Sequence, residues 1–456
     1  MKEIFQHTDD HLNDSITVLT ELCKLPSVSA QGTAIEQTAE HVEALLKDLG
    51  FETKILPKPK GNETGASKAQ PVVFAELQGE SPKTLMFYDH YDVQPAEPLD
   101  LWTTPPFQPT LRDGKLYASG VSDNKGNIAA RLAAVKAWRD VKGKLPCSIK
   151  FCIEGDEEIG SPQMEEFVDE HQDLLSADAC LWEGGGVTWE GVPQVTLGVK
   201  GLLYVELECE TVNSDAHSSY ATVLPNAAWR LVWALSTIKN REERVLIDGF
   251  YDSVRPATPE ERAALEAIPS EEAETLESYG IERAVAGVSG LDYTTRYLMD
   301  PTGNIDGLTS GYEAEGAKTV LPAKALAKMD FRLVPDQDPD EIVELLRNHL
   351  ARNGFEDVKV RLIAGERPAR TPVTDPFVQV MRDAVRAAYD ADPIILPTMA
   401  GTGPLHPFVA TLGLPTGDCG IGYPDARIHA PNENIRIEDY RNGTKAVAAL
   451  IGRFAE

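Results

Sequence analysis

Basic side chains are scarce in this chain. Lysine and arginine together number 43 against 72 aspartates and glutamates, for a formal net charge of −29. Such a surface repels phosphate backbones and anionic lipid, so nucleic acid and membrane surfaces are set aside as partners. Long apolar runs are missing too. No stretch approaches the ~18 apolar residues that a membrane span requires, and residues 1–10 are charged and polar, without an apolar signal core. A soluble, cytoplasmic protein is the expectation. Cysteine is sparse: Cys23, Cys147, Cys152, Cys180, Cys209 and Cys419 are scattered without a Cys-x-x-Cys pair. Three of them fall inside strand-like runs, which fits reduced, buried thiols rather than a disulfide framework. Internal repeats and low-complexity linkers are also lacking.

What is present is the alternation of amphipathic helical patterns with short aliphatic runs that marks α/β architecture. A length of 456 residues exceeds what one hydrophobic core normally supports and suggests two domains. Residues 11–23, 34–49 and 127–139 read as helices, and residues 71–77, 84–88, 148–153 and 179–182 as strands. After Gly198 the character changes. Residues 202–210 alternate in and out, a helix follows over 226–240, and residues 325–334 alternate again. That reads as an α+β module, 199–366, inserted into a first domain made of 1–198 and 367–456. Within the module, residues 256–283 are rich in Glu, Ala and Pro and read as solvated helical decoration.

Five potential metal ligands each close an apolar run: His90, Asp123, Glu158, Glu183 and His429. Two imidazoles and three carboxylates are the nitrogen and oxygen mix that a pair of divalent transition metals takes when one carboxylate bridges them. Open α/β sheets place their sites at the carboxyl ends of strands, where these residues are expected to sit. His90 and Asp92 stand two apart, so in extended backbone both point to one side, and a carboxylate beside a ligating imidazole fixes its tautomer. Adjacent Glu157 and Glu158 face different ways in extended backbone; one can bind metal while the other takes a proton. Taken singly, each of these has a plainer reading: a turn histidine, a surface acidic pair, or, for Asp123, a helix cap. His7, His11, His41, His171 and His349 lie in polar or helical surface patterns and receive no role, and His406 reads as loop packing.

The motifs His90-Tyr-Asp-Val-Gln-Pro95, Gly120-Val-Ser-Asp-Asn-Lys-Gly126, Glu154-Gly-Asp-Glu-Glu-Ile-Gly-Ser161, Asp330-Phe-Arg-Leu-Val-Pro335 and His429-Ala-Pro-Asn-Glu433 occur in this order. In them the chain resembles the M20 metallopeptidases, closest to the branch that contains carnosinase and cytosolic nonspecific dipeptidase. The resemblance covers nearly the whole length. It implies a zinc-exopeptidase-like catalytic domain, a mixed sheet flanked by helices, with the inserted α+β module as a lid and dimerisation domain.

It also implies roles. His90 and Glu183 hold one metal, Glu158 and His429 the other, and Asp123 bridges them; Asp92 orients His90, and Glu157 is the general base. Glu183 departs from the branch, where aspartate is usual. His217, in Asn213-Ser-Asp-Ala-His-Ser-Ser219, matches the lid histidine that reaches into the partner's active site to stabilise a developing oxyanion. Asn226, Thr319 and Arg332 match substrate contacts, the arginine pairing with a carboxylate. Gly401 and Thr402 lie in a loop that cradles the substrate's terminal carboxylate, where Ala400 replaces the family's first glycine. The implied protein is a homodimeric enzyme with two divalent ions per subunit, zinc first and manganese or cobalt as alternatives. It hydrolyses dipeptides or short peptides with a free C-terminal carboxylate. An N-acyl-amino-acid deacylase is the rival reading. A catalytically silent ligand-binding relative is the third, although neither Glu157 nor any metal ligand is lost.

Overall fold

The continuous apolar runs become the interior of a sheet. In the computed structural model, which describes residues 1–59 and 69–456, the strand Cys147–Glu154 is buried at every position. Covered on both faces, it has no solvent side, and even its polar residues Ser148, Lys150 and Glu154 are buried, Lys150 donating to the carbonyls of Leu174 and Ser176 at 2.7 Å. It pairs in parallel with Ser81–His90, which pairs in parallel with Ala179–Trp182, and that strand with Thr416–Asp418. Val72–Leu77 and then Glu52–Leu56 extend the other edge in antiparallel fashion, giving a six-stranded mixed sheet. The parallel strands deliver their carboxyl ends together. His90 is in register with Glu154, and Glu183 follows directly on Trp182.

This sheet belongs to a unit comprising Met1–Gly198, Arg370–Pro397 and Pro404–Glu456. Its helices include Leu12–Cys23, Ile35–Asp48, Lys125–Lys142, Pro376–Tyr389 and Ile437–Ala455. The helix Lys125–Lys142 begins just after Asp123 and ends at Gly143, whose φ of 81° is the left-handed conformation that closes helices and that glycine adopts without a steric penalty. Arg131, on this helix, is fully buried. Its guanidinium donates to the carbonyls of Tyr88 (2.5 Å), Leu181 (3.3 Å) and Trp182, and pairs with Asp89 at 2.8 Å. One cation therefore holds the ends of the strands that lead to His90 and Glu183.

The second unit comprises Val199–Ala369 and Thr398–Gly403. It contains a four-stranded antiparallel sheet in the order Asn304–Ser310, Lys324–Leu333, Gly201–Glu210, Lys359–Glu366. Burial alternates strictly along Gly201–Glu210, as expected for a sheet with one face on a core. That core is closed by the helices Ala227–Ile238 and Pro339–Arg352 around Leu203, Val205, Leu207, Phe331 and Leu346. The α/β domain with an α+β insertion is thus the observed architecture. Three differences from the sequence reading have physical causes. The strands Glu52–Leu56, Asn304–Ser310 and Lys359–Glu366 lie at sheet edges and are mostly exposed, so no apolar alternation announces them. His349 is buried rather than on a polar surface, with Nε2 3.0 Å from the Thr237 carbonyl. Residues 256–283 do carry two short helices, Pro259–Glu266 and Glu272–Ser278, yet Glu261 and Leu265 of the first are buried.

Arg131→Met leaves Asp89 as an unpaired buried charge and should lower stability by about 3–5 kcal/mol in chemical denaturation. Lys136→Met, on the exposed side of the same helix, should change it by no more than about 0.5 kcal/mol.

Candidate metal centre

Strand ends, two turns and one loop bring seven side chains of the first unit together. His90 is the last residue of its strand, Asp123 lies in the turn before the helix Lys125–Lys142, and Glu157 and Glu158 open the short 3-10 turn Glu157–Ile159. His429 comes from a loop that folds back on itself. Asn434 donates through its side chain to the Asp425 carbonyl and through its backbone to that of Ala426, while Asn432 bonds to both Thr103 and Leu101. His429 itself has a φ of 59°, a sparsely populated conformation for a residue with a side chain. Such conformations persist where surrounding contacts over-determine them.

Asp123 is the centre of the group. Its Oδ1 lies 3.0 Å from His90 Nε2, and its Oδ2 lies 3.2 Å from His429 Nε2. On the first side Glu183 Oε2 is 3.4 Å from His90 Nε2, and Glu157 Oε2 is 3.9 Å from the same nitrogen. On the second, Glu158 Oε2 is 2.9 Å from His429 Nε2. His90 keeps its other ring nitrogen toward Asp92, 3.1 Å from the backbone oxygen and 3.4 Å from Oδ1. The Asp92 carboxylate in turn accepts the backbone N–H groups of Glu157 (3.2 Å) and Glu158 (3.1 Å). Aspartate 92 thereby joins the His90 ring to the acidic turn.

The electrostatics of this group call for cations. Asp123, Glu157, Glu158 and Glu183 crowd around two imidazoles, and ligand atoms of His90, Asp123 and Glu158, and of His90, Glu157 and Glu183, lie within 4.8 Å of one another. Burial and the charge of Glu183 raise Glu157 well above the usual carboxylate range, and burial raises Glu183 likewise, with His90 opposing and Asp123 adding to it. Burial pushes Asp123 upward as well, but hydrogen bonds with His429 and His90 outweigh it and hold this carboxyl below its usual value. Carboxylates in a solvent-poor cleft are stabilised by divalent ions, which reverse the penalty of their mutual repulsion. The donor set fits a pair of them: one imidazole and one carboxylate on each side of a two-oxygen bridge, all nitrogen and oxygen. The site is a dinuclear metal centre.

Supporting residues carry no role in the sequence reading although some lie inside its motifs. Glu433, four residues after His429, accepts the backbone N–H groups of Gly120 (2.8 Å), Ser122 (2.9 Å) and Asp123 (3.1 Å) and so fixes the bridging turn. Burial, with Asp123 nearby, pushes Glu433 up to about 8. Gln94 donates to both the carbonyl and the carboxylate of Glu158, at 2.8 and 3.0 Å.

The remaining site residues of the sequence reading all belong to the second unit. His217 Nε2 lies 3.5 Å from Thr319 Oγ1, and its Nδ1 is 2.9 Å from Ser219 Oγ. Arg332 donates to Thr402 Oγ1 at 2.6 Å, and Gly401 accepts the Lys200 N–H at 2.8 Å. Asn226 caps the helix Ala227–Ile238, accepting the Trp229 N–H at 3.2 Å. The structure thus separates the metal residues, in one unit, from two smaller clusters and a helix cap in the other.

Comparison with known proteins agrees with this chemistry. Residues 86–453 match the model of peptidase family M20/M25/M40. The β-Ala-His dipeptidases of Rattus norvegicus and Homo sapiens are each 29% identical, over 99% and 100% of this chain and 94% and 93% of their own. Among solved structures, the M20 family metallo-carboxypeptidase Sso-CP2 from Sulfolobus solfataricus superposes with a TM-score of 0.90 at 37% identity, covering 97% of this chain and 99% of that one. Human carnosine dipeptidase 1 gives 0.82 at 27% identity, over 100% and 98%. The chain belongs to the M20/M25/M40 peptidase family and is a metallopeptidase closely related to its carnosinase and dipeptidase branch.

Proposed function

We propose that the protein is a two-metal exopeptidase that cleaves dipeptides or short peptides ending in a free carboxylate. The observation that carries this is the Asp123 carboxylate, which turns one oxygen to the His90 side and the other to the His429 side. A pair of divalent ions held by these residues would supply Lewis-acid chemistry to the scissile carbonyl and would lower the pKa of a water toward ~7. The residues divide the rest of the work. His90 and Glu183 serve one ion, His429 and Glu158 the other, and Asp92 holds the His90 ring in its tautomer. Glu157, beside the ligands but not needed to complete either set, accepts the water's proton and returns it to the leaving amine. Zinc is the expected ion, with manganese and cobalt as alternatives, because nitrogen and oxygen sites accept all three and availability decides among them.

Arg332 and Thr402, bonded to each other, with the Gly401 backbone, form the carboxylate-recognising pair in this reading, and Thr319, Asn226 and His217 complete substrate contact. We place His217 across a homodimer interface formed by the second unit, here acting as lid. Supporting that interface, Trp229, Val232 and Trp233 are 58%, 46% and 53% exposed on the helix Ala227–Ile238. The edge strand Asn304–Ser310 of the same unit leaves Ile305 and Leu308 exposed. Exposed apolar groups beside an open sheet edge are the usual mark of an association surface.

A second reading draws on the 37% identity to a protein described as a metallo-carboxypeptidase: removal of the last residue from longer peptides by the same centre. Hydrolysis of free dipeptides, longer peptides and N-acyl amino acids by metal-stripped protein resupplied with zinc, manganese or cobalt separates these. Free dipeptides should turn over best; preference for longer chains selects the carboxypeptidase, and turnover confined to N-acyl amino acids selects a deacylase.

Asp123→Ala should lose both ions on dialysis, whereas Glu157→Gln should retain both and lose about 10²–10⁴-fold in kcat, as metal analysis and steady-state kinetics will show. Near-parental turnover by Glu157→Gln would remove that residue from its role. Trp233→Glu should sediment as a monomer and lose about 10²-fold or more in kcat, because His217 then no longer reaches a neighbouring centre.

A further inference from the structure

Next to the metal centre lies a group of ionisable side chains that the reaction described above does not employ. Lys58, Glu154 and Asp156 have no solvent-exposed side-chain surface. Lys58 Nζ lies 2.5 Å from Glu154 Oε2 and also contacts Asp156 Oδ1. Glu154 further accepts from the hydroxyls of Tyr88 and Ser161, and Asp156 from the Gln70 N–H at 2.9 Å.

The placement of these carboxylates gives them a consequence for Glu157. Glu154 ends its strand, and Asp156 and Glu157 follow it after a single glycine. The segment is therefore held from both sides. The side chains at 154 and 156 go to Lys58, while the backbone N–H groups at 157 and 158 go to Asp92. Gly155 between them packs on Tyr91 so closely that a Cβ would stand 2.2 Å from the phenol oxygen. Among the described residues Lys58 is the one cation beside these two buried carboxylates, so its loss leaves both acidic groups without that charge partner in a dry pocket, and such groups relax by moving or drawing in water. The segment that would shift is the one that carries Glu157.

We propose that Lys58 is a positioning residue for peptide hydrolysis: by clamping Glu154 and Asp156 it sets where the Glu157 carboxylate stands, without touching substrate or metal. The inference rests on Glu157 being the proton acceptor. Burial disfavours charge on a lysine, but Glu154 and Asp156 more than offset this and raise Lys58 above its ordinary value, so it is a cation at neutral pH. A displacement of about 1 Å at a proton-transfer group costs on the order of 10²-fold in rate.

The test compares Lys58→Met with Lys58→Met/Glu154→Gln, which keeps the pocket's net charge while removing the clamp and so guards against simple misfolding. Metal content, thermal midpoint, kcat and KM on a dipeptide are measured for each, and again in a Glu157→Gln background. The expected result is two ions per folded subunit, KM within about threefold, kcat lower by on the order of 10²-fold, and no further loss when Glu157 is already glutamine, because two changes acting through one group are not additive. A kcat within about threefold of the parent for the folded, metal-loaded variants would overturn the proposal. So would an equal loss in both backgrounds, which would mean that Lys58 acts on the fold or on the metals. Parental turnover by Glu157→Gln alone would refute the proton-acceptor assignment instead, whatever the Lys58 variants do.

Discussion

The structure depends on one electrostatic constraint: the carboxylate of Asp123 faces two imidazoles, one on each oxygen, inside a cleft that already holds Glu157, Glu158 and Glu183. Carboxylates in such a place repel one another and lose hydration, and each must be compensated by a cation or by directed N–H groups. Divalent ions held by these residues would answer the first need. The second is met by the surrounding protein, where almost every supporting contact ends on a strand terminus or a turn. Arg131 gathers the carbonyls that precede His90 and Glu183, Glu433 takes the amides of the Asp123 turn, and Asp92 takes those of the Glu157–Glu158 turn. The parallel sheet makes this possible because it brings the carboxyl ends of successive strands to one edge.

The two units embody two kinds of work. The first concentrates charge, and its core is built from strands covered on both faces. The second has an antiparallel sheet with one covered face and short polar clusters at His217–Thr319 and Arg332–Thr402. The metal-ligand residues and the polar residues proposed here for substrate contact thus belong to different units of the chain.

Much of this is legible in the amino-acid order, for identifiable reasons. Strands of the parallel sheet carry short apolar runs at 85–88, 151–153 and 179–182, and a polar residue soon after such a run marks a strand end; His90, Glu183 and the pair Glu157–Glu158 can be found that way. His429 follows only the short Ala426-Arg-Ile stretch, which is loop rather than strand, and is recognisable chiefly by its motif. Lys58 sits in a Pro-Lys-Pro stretch with no apolar neighbour to mark it as interior, yet it is buried. Arg131 occurs in an alanine-rich helix whose pattern does not reveal which long side chain is folded inward. These charges are illegible because their partners are distant in sequence, some of them backbone carbonyls that carry no residue identity. The exposed edge strands escape for the opposite reason, having no buried face to impose a pattern.

The central claim is that Asp123 joins two metal ions, and diffraction data collected on either side of the metal absorption edge from crystals of the loaded protein test it most directly. The account predicts two anomalous peaks about 3.5–4 Å apart, one beside His90 and Glu183, one beside His429 and Glu158, with an Asp123 oxygen on each. A single peak, or two peaks of which only one contacts Asp123, would contradict it.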